Sequence, residues 1–207
     1  MVRRLREMYM EYRRIVQVYP DTPAIARRMF VTNGFDGLLA AIGVNIGGYS
    51  SGADPVVMVM SIMGGSLAMG VLSGVVGVYL SERAERLKEL SRLEKKVSRS
   101  LRRSIYWKAA NIIPLYIALW SGVGVIAFPL VSITPYIAAA YGLLGMGEAF
   151  AASLAIALTL SAALGLYLGV VSGESKLYSM VRGLMLAVGA IILVHLFKFA
   201  VAGPLPG

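Results

Sequence analysis

The residues that could carry chemistry begin with Asn33-Gly34-Phe35-Asp36-Gly37. Asp36 lies eight residues past Arg28, about 12 Å along a helix. A carboxylate at that depth in an apolar segment is costly, and it usually faces a bundle interior, a partner or an ion path. It also reads as a membrane-edge acid paired with arginine, or as one bonded to backbone where the two glycines disturb a helix. Asn45, nine residues on, is placed near the same face as a second polar lining group. It reads equally as a hydrogen-bonding link between helices. Met58, Met60, Met63 and Met69 offer thioether sulfur, a soft ligand for transition metals. Methionine is also a flexible core filler. Glu82, Glu85, Glu89 and Glu94 recur at helical steps, but basic residues outnumber them there. A salt-bridged surface explains them better than a cation site.

Other chemistries are poorly served. The chain has no cysteine and one histidine, His195, which removes disulfides, thiolate metal sites and multi-histidine sites within one chain. No phosphate-cradling loop and no nucleophile–histidine arrangement occurs, so neither enzyme activity nor a bound cofactor is expected. His195 reads as a packed, hydrogen-bonded residue, and Lys198 as one that extends to the membrane interface.

The elements that must position these residues are apolar. The 207 residues are 57% hydrophobic with a mean hydropathy of +0.72, more apolar surface than a soluble domain can cover. Five spans are expected near 29–49, 55–81, 109–131, 149–171 and 178–201, each close to the ~20 residues that cross the hydrocarbon core. The fold class is therefore an all-α, five-helix integral membrane bundle. Residues 1–28 form a cytoplasmic segment, with an amphipathic helix over 2–19 lying on the membrane surface. Thr22 and Pro23 then start a new helix, Thr22 as its cap. Residues 82–108 form a charged helical segment between spans two and three. Residues 132–147 pack on the membrane or form a short helix, and 202–207 are an external tail.

The net charge of +9 is concentrated in two blocks. Residues 1–30 carry seven basic residues and 82–108 carry ten, with an apolar stretch between them. The charge thus belongs to loops at a lipid bilayer, and nucleic acid is not an expected partner. The joint after span one and the loop after span three carry no basic residue, whereas Lys176 and Arg182 follow span four. The asymmetry predicts a multi-pass protein of the cell membrane with its N-terminus inside and C-terminus outside.

Span two holds two small-residue ridges, Ser66, Gly70, Gly74 and Ser73, Gly77, Ser81. Such ridges let helix backbones approach closely, within the chain or between two copies.

Several of these runs together resemble the vacuolar iron transporter family. Arg27-Arg28 followed by Asn33-Gly34-Phe35-Asp36-Gly37 resembles its first span. The run Ser73-Gly74-Val75-Val76-Gly77-Val78-Tyr79-Leu80-Ser81 resembles the end of its second span, and Gly124 and Pro129 resemble elements of its third. The resemblance covers about residues 25–200. It implies a homodimer with a path between the first two spans of each copy. It also implies exchange of a divalent metal, of the ferrous iron or manganese class, for protons, with metal leaving the cytosol. Asp36 would be the pathway carboxylate, with Asn33, Asn45 and Met69 as further candidate ligands. The family's pathway methionine falls at Gly74 and its glutamate at Val78, and Met69 stands about half a turn out of phase. The family's Glu-rich metal-collecting domain is replaced by a short basic segment. A scaffold that keeps the fold without the transport is the alternative.

Overall fold

The computed structural model describes residues 18–102 and 104–202, the side chains of 201 and 202 excepted. The expected amphipathic helix over 2–19 falls almost wholly outside the described residues, as does the tail.

Among the described residues helices joined by short turns make up the chain, with no strand. Helix α1 spans Thr22–Ser50, α2 Pro55–Val97, α3 Ile105–Ser132, α4 Thr134–Ala140, α5 Met146–Ser172 and α6 Lys176–Ala202. All except α4 are long and apolar enough to cross a membrane. This is the build of a multi-pass membrane protein.

Helix starts and stops follow local chemistry. Pro23 sits in the first turn of α1, where no donor is lost. The expected Thr22 cap is not formed: Asp21 occupies the cap position, and the Thr22 hydroxyl donates back to the Tyr19 carbonyl at 2.7 Å. The joint to α2 turns at Gly52, whose φ of +74° suits glycine. Asp54 then caps α2 by accepting from the Val57 amide at 3.0 Å, ahead of Pro55. Glu148 accepts from the Gly145 amide at 2.8 Å where α5 begins.

Helix α2 is 43 residues long, about 65 Å, so roughly half of it must project beyond a 30 Å hydrocarbon layer. Its middle, Met69–Gly77, is a nine-residue π-helix. Its projecting part carries the expected ion pairs, centred on a buried Arg86 that meets Glu89 at 3.0 Å and Glu82 at 4.0 Å. The Arg86 guanidinium also lies 4.3 Å from the Tyr19 ring centre. Arg83 donates to Asn111 of α3 at 3.1 Å. The helix ends at Val97, before the expected limit of 108, because Ser98 turns left-handed and the Glu94 carboxylate takes the Leu101 amide at 2.6 Å.

Helices α1 and α3 form the centre of the bundle. Their apolar windows are half buried, against 11% for α6. They approach through glycine. A methyl group on Gly124 of α3 would collide with the Phe30 carbonyl, and one on Gly37 of α1 with the Val125 carbonyl. Helix α2 packs on α3 at Gly70, Gly74 and Gly122, and α5 packs on α6 at Gly165 and Gly183. Lipid tails are as apolar as leucine, so close backbone contact must supply much of the association. The short α4 places Tyr136 wholly inside the bundle.

Candidate ion-pathway face on the first span

Asp36 is the midpoint of the 29-residue α1, with fourteen residues before it and fourteen after. It is exposed on the surface of the single chain. The rest of its motif is consumed by packing. Asn33 donates to the Ser121 hydroxyl of α3 at 2.6 Å. Gly34 and Gly37 lie against α3, and Phe35 joins a core shared with α5 and α6. The helix runs unbroken through both glycines, so they do not create an irregularity that could bond the carboxylate.

Thr32, Asp36, Ala40 and Gly47 are all exposed, and their steps of four, four and seven put them on one face. Apart from Asp36 this strip is small. Around Gly47 there is open space, and near Gly43 only Val194 comes within 4 Å of an added methyl, at 3.8 Å. A carboxylate exposed to hydrocarbon within a span is unfavourable by about 3 kcal/mol. The strip therefore needs a cover that brings water, an ion or another polar group to Asp36.

The other expected ligands are placed elsewhere. Asn45 does not share the Asp36 face. Nine residues are two and a half turns, so Asn45 points the opposite way, into the bundle. There it is 1% exposed. Its amide donates to Ser153 of α5 at 3.1 Å, and its carbonyl oxygen accepts from the Tyr136 hydroxyl of α4. Asn45 thus links three helices by hydrogen bonds. Asn45→Ala should lower unfolding stability in detergent by about 1–3 kcal/mol, since it strands the Tyr136 hydroxyl. An unchanged midpoint would show the link to be idle.

Met69 is half buried at the start of the π segment, which packs chiefly on α3. The ridge Ser66, Gly70, Gly74 also faces into the chain. A methyl on Gly70 would come within 2.5 Å of Ile126, and one on Gly74 within 3.0 Å of Gly122. This ridge therefore has its partner in α3. Ser73, Gly77 and Ser81 are exposed, as are Gly64 and Gly65, where an added methyl would meet nothing within 4 Å. Val78 joins an internal cluster with Ala26, Ala109 and Ile113.

Sequence reasoning missed Ser121, Ser153 and Tyr136 as partners of the two asparagines. The available signal was Tyr136 itself, a hydroxyl in an apolar segment that must find an acceptor when buried. Among the described residues no three Asp, Glu, His or Cys side chains come together. One chain thus presents Asp36 as a lone carboxylate on an otherwise small strip.

No family model matches the chain. An uncharacterized protein of Methanocaldococcus jannaschii is 27% identical over 176 residues, covering 84% of this chain and 88% of the relative.

Proposed function

We propose that the protein is a homodimeric membrane transporter of a divalent metal cation, of the ferrous iron or manganese class, that exchanges metal for protons. The observation that carries this reading is Asp36, a mid-span carboxylate exposed on a strip of small residues. A second copy laid on that strip would cover it and bring two carboxylates toward one axis. Their repulsion is relieved by a shared proton or by a cation, so cation entry would release the proton. The exposed Ser73, Gly77, Gly64 and Gly65 of α2 provide further room for close approach. Resemblance to the vacuolar iron transporter family suggests the same arrangement.

In the proposed orientation the basic end of the bundle is cytoplasmic. That end includes the start of α1, the projecting part of α2, the start of α3 and the joint between α5 and α6. Metal would leave the cytosol.

The absence of native cysteine makes single-cysteine variants informative. Ala40→Cys should cross-link between copies in membranes, and Leu193→Cys, exposed on α6, should not. Leu93→Cys should resist an impermeant thiol reagent on intact cells. An uncrosslinkable Ala40→Cys would remove the dimer pathway, and external labelling at position 93 would reverse the orientation.

The alternative is a membrane scaffold of the same fold. It is favoured by one observation: Gly74 and Val78, where the family's pathway methionine and glutamate fall, are both packed inside the chain. A stable dimer that moves no metal would decide for it.

A further inference from the structure

Two grooves meet at the basic end of the bundle. One, of about 580 Å³, lies between α1 and α5 and includes Asp21, Arg27, Arg28 and Tyr167. The other, of about 270 Å³, lies between α1, α3 and α5 and includes Arg27, Phe30, Tyr116, Trp120 and Tyr167. Arg27 and Tyr167 belong to both, so the grooves adjoin. Arg27 and Arg28 are exposed and form no ion pair among the described residues, Asp21 included. Arginine at a membrane boundary has phosphate as its natural counterpart, through paired N–H donors. Deeper in, the lining becomes aromatic. Phe30 and Trp120 meet edge to face at 5.7 Å, and Trp120 meets Tyr116 at 6.4 Å. A cationic mouth above an aromatic floor matches a molecule with an anionic head and an apolar chain. Basic pockets between membrane helices bind such lipids by this division of labour.

We propose that this double groove holds one anionic phospholipid per chain, its phosphate on Arg27 and Arg28 and an acyl chain along Phe30 and Trp120. The site lies about two turns from Asp36 toward the basic end and does not depend on transport. It would tie α1, α3 and α5 together where the charged segments leave the membrane.

Trp120 is one of only two tryptophans, so Trp107→Phe makes it a local reporter. The full chain in mixed micelles is titrated with phosphatidylglycerol or phosphatidylcholine brominated on the acyl chains. Brominated phosphatidylglycerol should quench Trp120 at about tenfold lower mole fraction than brominated phosphatidylcholine. Arg27→Gln with Arg28→Gln should equalise the two lipids. Lys95→Gln with Lys96→Gln, also exposed at the basic end but outside the groove, should leave the preference intact. Equal quenching by both lipids in the Trp107→Phe protein would mean general lipid contact and overturn the proposal. So would a preference that survives loss of both arginines or vanishes with the two lysines. Relief of quenching by inorganic phosphate alone would identify a small-anion site and overturn the lipid assignment.

Discussion

Gly124→Leu is expected to prevent assembly of the bundle. A methyl group at position 124 already collides with the Phe30 carbonyl and comes within 3.2 Å of the Gly34 amide nitrogen. Both are backbone atoms of α1, and neither can rotate aside as a side chain would. Relief requires α1 to move away from α3, which breaks an extensive helix–helix contact at the centre of the bundle. Overpacking a yielding core costs about 1–3 kcal/mol, and a backbone obstacle should exceed that range. The expected result is loss of the monodisperse peak in mild detergent, with Gly124→Ala giving a folded protein of lower Tm. Gly47→Leu is the contrast, because the space around Gly47 is open within the chain. It should fold normally and weaken only the association of two copies. A Gly124→Leu protein with unchanged Tm would contradict the close approach of α1 and α3.

Asp36→Asn is expected to abolish metal flux while leaving the dimer intact. The substitution keeps the side-chain shape and removes the charge that would replace part of a cation's hydration shell. Asn33 is committed to Ser121, and Asn45 points into the bundle, so neither can substitute for it. The Ala40→Cys cross-link should persist in the Asp36→Asn background, since the small strip is unaltered. Thermal stability should rise or stay level, because a buried or lipid-facing carboxylate is replaced by a neutral amide. Equal flux with and without the carboxylate would assign Asp36 a structural role.

Much of the architecture was legible because hydrocarbon imposes a length and a composition on every span. All five expected spans correspond to helices, although each helix extends past its apolar window. The start of α1 was legible at Thr22 and Pro23, and the helix runs on through Arg27 and Arg28 into the apolar run. The end of the charged segment was placed too far along because hydrophobic periodicity does not register the left-handed turn at Ser98. The ridge of Ser66, Gly70 and Gly74 was visible as a ridge. Its partner was not, because spacing defines a face without saying what covers it. The π segment left no compositional trace, as it shifts each backbone hydrogen bond by one residue whatever the side chain. For the candidate site, Asp36 was legible from its charge in an apolar run. The misplacement of Asn45 was an error of phase, correctable from nine residues at 3.6 per turn.

If Asp36 lines a route for metal and protons, the purified protein must carry both across a bilayer. The most direct measurement is metal uptake by purified protein in liposomes, across a panel of divalent cations, with and without a pH gradient. Ferrous iron or manganese should move with wild-type protein, faster when a proton gradient drives exchange, with matching proton counterflow. No movement of any cation by a correctly folded dimer, under either condition, would contradict the account and leave the fold as a scaffold.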